Sequence, residues 1–226
     1  MKLLLVHLMV ACAAATKDLS DTMLTFPLET NTAHVRLNTP RQNFGAVTVC
    51  HRSFTDLRRD HSLFSLATPT FDNGILIFWD ATNKEVELHI RNQNAEYRGF
   101  DYKPNMWHSI CTTWDAGTGL VQLWFDGQPS VRKFVGSGAN ITGSPIIILG
   151  QEQDRHGAAF DPKQSFVGMM SDVHMWDYTL SVCEIQKYMD QTNFTPGNTL
   201  NWRALDYQTT GNILEENRFS HVQRCP

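Results

Sequence analysis

Beyond its first fifteen residues, the chain has no apolar run near the about 20 residues that a membrane-spanning helix needs. It has no basic cluster either. Lys and Arg total 19 against 23 Asp and Glu, a formal net charge of −4, which argues against a nucleic-acid partner. Nine histidines are present, but none stand at zinc-ligand spacing. No internal repeat, linker or low-complexity segment interrupts the chain. Cysteine is scarce at five residues, and one of these, Cys12, lies close to the N-terminus.

The first residues read as a leader. Met1-Lys2 gives a positive start, Leu3 to Ala11 is mostly apolar, and Ala13-Ala14-Ala15 supplies small residues for cleavage. This is the pattern of a secretory signal peptide over residues 1–15, too short to span a bilayer. The expected mature protein is soluble and extracellular and begins at Thr16. Residues 16–226 are roughly the size of a single all-β domain. Cys12 leaves with the leader, and Cys50, Cys111, Cys183 and Cys225 remain. An even number in a secreted chain points to two disulfides with three possible connectivities. Cys50 and Cys111 both lie in strand-like runs. A bridge between them would close a loop of about 60 residues and stabilise by roughly 4 kcal/mol in the chain-entropy model. Cys183 and Cys225 would then pair, tying the C-terminal tail to a helix start. The alternative leaves those two free or bridging subunits. Sequons stand at Asn140 and Asn193. Asn140, in a Gly-rich loop, is the better glycan site, because Thr195-Pro196 weakens Asn193.

Period-two alternation dominates the rest. Val86, Leu88 and Ile90 alternate with Glu85, Glu87, His89 and Arg91, the pattern of a half-buried strand. Similar runs cover 33–37, 46–50, 63–67, 75–79, 108–114, 120–125, 146–149 and 166–176. Asp126-Gly127 after one of them marks a tight turn. Many short strands between turn residues predict an all-β, antiparallel sandwich or jelly roll. One helix is signalled over 182–190. Ser181 and Glu184 form a capping box, and Ile185, Tyr188 and Met189 make an apolar face that packs on the outside of one sheet.

The run from Leu149 to Asp154 carries the chemistry. It closes an apolar strand with a glycine and then Gln151-Glu152-Gln153-Asp154. Extended backbone would point Glu152 and Asp154 to the same side, where like charges repel until a cation neutralises them. Asp161, Gln164 and the pair Asp72-Asn73 offer further hard oxygens, the ligand chemistry of Ca²⁺. Asp72, Glu152, Asp154 and Asp161 together carry four negative charges, which two calcium ions cancel.

Several strings also resemble a known family. Ser109–Ala116 is similar to the pentraxin signature H-x-C-x-[ST]-W-x-[ST], matching at Cys111, Thr113 and Trp114. Ser109 replaces its histidine, His108 comes one place early, and Ala116 replaces the final Ser or Thr. Ile148–Asp154, Asp72–Trp79, Phe166–Asp177 and Leu200–Leu205 also resemble pentraxin segments, in order along the mature chain. The resemblance implies a flattened β-jelly roll with one long helix on one face, a Cys50–Cys111 disulfide, and a cyclic pentamer. It also implies a two-Ca²⁺ site formed by Asp72, Asn73, Glu152, Gln153 through its backbone carbonyl, Asp154, Asp161 and Gln164. The implied ligands are phosphocholine, phosphoethanolamine or carbohydrate, with complement components as partners. Leu76 and Phe78 match the floor of the ligand pocket, on the face of their strand opposite Ile75, Ile77 and Trp79. An aromatic face beside a quaternary ammonium is worth roughly 0.5–2 kcal/mol. The sequence departs from the phosphocholine pattern at His89, where a smaller or aromatic residue is expected. Glu96 is the candidate acid in the stretch after it.

Enzymatic readings fare worse. Some β-glucanases of similar fold carry E-x-D-x-E or E-x-D-x-x-E, but positions 156 and 157 here are His156 and Gly157, so the third carboxylate is missing. His108 near Cys111 does not make a thiol nucleophile if Cys111 is in a disulfide. The expected protein is therefore a non-enzymatic, multivalent, calcium-dependent recognition molecule. The rival reading is a calcium-dependent sugar-binding lectin without phosphocholine affinity.

Overall fold

The computed structural model describes residues 15–218. Residues 1–14 of the expected leader and Cys225 lie outside the described residues. Strands β1 (Thr22–Phe26), β2 (His34–Leu37), β3 (Asn43–Phe44), β4 (Ala46–Phe54) and β5 (His61–Ala67) come first. They are followed by β6 (Ile75–Asp80), β7 (Glu85–Ile90), β8 (Gln93–Arg98), β9 (Trp107–Asp115) and β10 (Leu120–Phe125). The short β11 (Gln128–Pro129), β12 (Lys133–Phe134) and β13 (Ile141–Thr142) precede β14 (Ile146–Leu149) and β15 (Gly168–Trp176). Helix α1 (Val182–Met189), β16 (Tyr207–Thr210) and β17 (Leu214–Asn217) complete the order.

Two large antiparallel sheets form the sandwich. One runs β11-β10-β9-β4-β15-β1-β17, with β12 also on β10, and the other runs β16-β2-β14-β5-β6-β7-β8. Alternation sets which side chains meet between them. Val47 and Val49 from the first sheet pack against the same core as Ile75, Ile77 and Trp79 from the second. On the first sheet's other face, Cys50, Cys111, Trp124 and Trp176 form a separate apolar layer with Ile185, Tyr188 and Met189 of α1. The helix thus lies outside that sheet, on the face its sequence pattern predicts.

The helix starts as expected, with the Ser181 hydroxyl accepting from the Glu184 N–H (3.3 Å). The reciprocal half of the capping box does not form. The Glu184 carboxylate instead accepts from the Thr195 N–H (3.0 Å) and Lys187 (2.6 Å). The chain returning after the helix supplies a donor closer than the cap's own backbone. Asp126 and Gly127 both have positive φ (46° and 83°), the conformation of a two-residue hairpin turn. Strands β1, β8, β16 and β17 have no period-two signature that stands out in the sequence. β8 turns only Ala95 and Tyr97 fully inward, and β16 and β17 are sheet edges.

Cys50 and Cys111 stand directly opposite each other in β4 and β9 and form the disulfide, with Cα atoms 4.1 Å apart. It closes a loop of 61 residues beneath the helix. Replacing both cysteines with alanine should cost roughly 4 kcal/mol, read as a lower urea midpoint. A loss under about 1 kcal/mol would show that helix packing alone fixes the strand pair. Cys183 is exposed and carries no disulfide to any described residue.

Candidate metal centre

Gly150 makes the turn at the end of β14. Its φ is +94°, and a Cβ there would sit 2.5 Å from the Phe26 ring. The next four residues then point alternately to two sides. Gln151 and Gln153 point inward and are buried. The Gln151 amide donates to the carbonyls of Thr30 and Ala33 (2.8 Å each). The Gln153 amide donates to the carbonyls of Ser65 (3.0 Å) and Ile146 (3.1 Å), and its oxygen accepts from the Gly157 N–H (2.9 Å). With its side chain so engaged, Gln153 has only its backbone carbonyl to offer a metal.

Glu152 and Asp154 take the other side, and the like charges do meet. Glu152 is only 3 % exposed. Burial pushes its carboxyl up to about 7, aided by the charge of Asp154, by hydrogen-bonding contact with it, and by the charges of Asp72 and Asp161. All four predicted carboxylates therefore converge on one region. Glu152 and Asp154 touch, but no three of the four bring their oxygens within 4.8 Å of one another. The tightest carboxylate trio among the described residues is a different one, Asp80, Glu85 and Glu87. It lies at the far end of β6, and its acids are already engaged. Asp80 accepts from the N–H groups of Thr82 and Asn83, and Glu85 from Arg98 (2.6 Å).

The predicted amide ligands converge from two other loops. Asp161 caps the short 3-10 turn Pro162–Gln164 by accepting from the Lys163 N–H (2.8 Å), which sets Gln164 in place. The Asn73 N–H donates to Asn92 Oδ1 (2.9 Å), and the Asn92 N–H donates back to the Asn73 carbonyl (2.9 Å). Asn92 and Arg91 form the β7–β8 turn with φ of 62° and 52°, a conformation disfavoured for residues with a Cβ. Asn92 was not a predicted site residue. The signal available was a polar Arg-Asn pair directly after the alternating run Val86–Ile90.

Asn73 Oδ1, Glu152 Oε2 and Gln164 Oε1 are all buried oxygens with no hydrogen-bond partner among the described residues. Buried acceptors are almost always satisfied. These three orphaned oxygens, one on an acid and two on amides, stand with the other three acids as a donor set that could hold a hard cation.

The predicted ligand residues share the outer face of the second sheet. Leu76 and Phe78 are buried there, apart from the sandwich core. Across the strands, one row runs Ser65, Leu76, His89 and Asn94, and the next runs Ser62, Phe78, Glu87 and Glu96. Glu87, which the sequence reading did not single out, accepts from His89 Nε2 at 2.8 Å. Its signal was its position two residues before His89, on the same strand face. Glu96 lies in the Phe78 row, and Asn94 is the residue paired with His89.

The Pentaxin family model matches residues 22–216. The chain is a pentraxin. This pentraxin is 38 % identical over 207 residues to serum amyloid P-component of Rattus norvegicus, covering 89 % of this chain and 88 % of that protein. It is 38 % identical over 212 residues to C-reactive protein of the same species, covering 93 % and 91 %. Among solved structures, the native heptameric SAP-like pentraxin of Limulus polyphemus superposes with a TM-score of 0.79 at 22 % identity, covering 88 % of this chain and 95 % of that one. That likeness shows the fold. Among the described residues no helix is long and apolar enough to cross a membrane.

Proposed function

We propose that this pentraxin is a secreted, non-enzymatic recognition protein of the innate-immune type. It binds two calcium ions per subunit and uses them to hold phosphocholine, phosphoethanolamine or carbohydrate groups on microbial or damaged surfaces. The observation that carries this reading is the trio of orphaned buried oxygens on Asn73, Glu152 and Gln164. With Asp72, Asp154, Asp161 and the Gln153 carbonyl, they supply seven oxygen-bearing residues, and the four acids balance two divalent ions. Bound calcium supplies the positive charge that draws ligand oxygens. The chain's own residues do the rest: Gln151 and Gln153 anchor the loop, and Leu76 and Phe78 give an apolar floor beside it.

The His89–Glu87 pair favours a second reading on the same face. A hydrogen-bonded imidazole and carboxylate beside Phe78 suit sugar hydroxyls, which supports a calcium-dependent lectin without phosphocholine affinity. Retention in calcium on phosphocholine resin and on galactose resin, with elution by each free ligand, separates the two. Calcium-dependent retention on neither would count against both.

We further propose secretion with removal of residues 1–15. Lys17, whose N–H donates to the Leu205 carbonyl (2.8 Å), would then stand near the start of the mature chain. Asn140 and Asn193 are both exposed. Asn140 donates its amide to Asn43 (2.8 Å), a bond that a glycan there would displace. Weak single sites gain roughly 10²–10⁴-fold in avidity when arrayed on one face. A closed ring of subunits provides that array. We propose a pentamer, with complement components as partners. The Limulus pentraxin is heptameric, so mass measurement of the assembly decides ring size.

A further inference from the structure

A polar cavity of about 300 Å³ opens on the outer face of the first sheet, beside the C-terminal end of α1, remote from the metal centre. His174 is its most informative wall. It is 1 % exposed, and its Nδ1 accepts from the Gly197 N–H (3.2 Å). That bond fixes the proton on Nε2, which has no hydrogen-bond partner among the described residues and belongs to a cavity-lining side chain. Burial, and then the charge of Arg203, hold this histidine down at about 3, so it stays neutral and Arg203 lies near it.

Arg203 is the second wall. Its guanidinium stacks over the Phe194 ring at 5.3 Å and forms no salt bridge among the described residues. The buried cation here is occupied. Arg52 donates to Ser109 (2.6 Å) and to the Tyr188 and Met189 carbonyls (2.6 and 3.2 Å), and it pairs with Asp172 (3.5 Å). Asp172 also accepts from Arg218 (2.6 Å). The groups left for a ligand are thus one neutral N–H donor and one solvent-exposed guanidinium, which also feels the charge of Asp18, with Phe194 between them: its ring meets His174 edge-on at 5.1 Å. Asp21 and Asp172 on the rim disfavour a dianion.

We propose that this cavity binds a small organic monocarboxylate, with its carboxylate on Arg203 and His174 Nε2–H and its apolar body against Phe194 and Trp202. An Arg–carboxylate fork is the strong form of such a contact. The site lies on the sheet opposite the proposed calcium face, so it functions without metal.

Isothermal titration of the full assembly with benzoate, benzyl alcohol and inorganic phosphate tests this. Benzoate should bind saturably and at least about tenfold more tightly than benzyl alcohol, with the same affinity in calcium and in chelator. Arg203→Gln, at an exposed position, should weaken benzoate at least about tenfold and leave benzyl alcohol unchanged. Absence of saturable benzoate binding, an unchanged benzoate affinity in Arg203→Gln, or tighter binding of phosphate would each overturn the proposal. Loss of benzoate binding in chelator would move the ligand to the metal face and overturn it as well. Failure of the calcium reading leaves every one of these outcomes intact.

Discussion

Glu152→Gln should reverse the sign of its effect on stability between chelator and calcium. In chelator the wild-type fold buries Glu152 beside Asp154, with Asp72 and Asp161 adding repulsion. The isosteric amide removes one of four like charges without changing shape. The variant should therefore melt at the same temperature or higher than the wild type. In calcium the order inverts. A ligand present at 100 times its Kd stabilises the fold by about 2.7 kcal/mol. For a domain of this size that raises Tm by roughly 5–10 °C. Glu152→Gln should lose most of that rise and all calcium-dependent retention on resin. Protease sensitivity gives an independent readout. The segment from Asp154 to Asp161, past the Gln153 clamp, should be cut in chelator and protected in calcium. A variant destabilised equally in both conditions would mean that Glu152 serves packing rather than metal.

Acid should unfold this protein between about pH 4 and 5, driven by histidines rather than carboxylates. Burial holds His51 at about 3, His174 at about 3 and His61 at about 4. Each folded value lies below the unfolded value of about 6.5, so the stability they confer is complete above that pH. It drains away as pH falls toward 4. At pH 4.5 each histidine withdraws nearly 3 kcal/mol, and the three together about 8, against a typical total of 5–15. Side chains such as Asp80 and Glu184, whose carboxyls are lowered by hydrogen bonds from Asn83 and Lys187, act only below about pH 4.5. His108 works in the opposite direction. Burial lowers its pKa, but the hydrogen bonds to Asp126 and the Lys103 carbonyl outweigh that, so its contribution is present below pH 6.5 and fades as pH rises. The cleanest variant is His51→Phe, because both ring nitrogens of His51 lack partners. It should move the acid midpoint down by several tenths of a pH unit or more, followed by intrinsic fluorescence. An unmoved midpoint would assign acid sensitivity to other groups.

Much of this was legible in the residues. Alternation around Val86–Ile90 and Ile75–Trp79 gave real strands, because one face of each must meet the core. The helix and its apolar face followed from three side chains and a serine. Gln151 to Asp154 read correctly as alternating, since a buried glutamine on each inward position reinforces the extended backbone. The edge strands β16 and β17 did not show. Their side chains are mostly exposed on both faces, so burial imposes no pattern on them. Nor did the hold of Asn92 on Asn73, which depends on which loops lie side by side, and spacing within one strand carries no such information. The Glu87–His89 contact was within reach, since residues two apart on one strand share a face.

The placement of Leu76 and Phe78 has a consequence for divergence within the family. They are buried, yet they belong to neither the sandwich core nor the layer under the helix. The row neighbours His89, Asn94, Glu87 and Glu96 stand on the same outer surface. If this surface is the proposed ligand site, substitutions at those four neighbours would retune what is recognised while the sandwich core is left alone. Gene duplicates of such a scaffold are free to drift toward new ligands one side chain at a time.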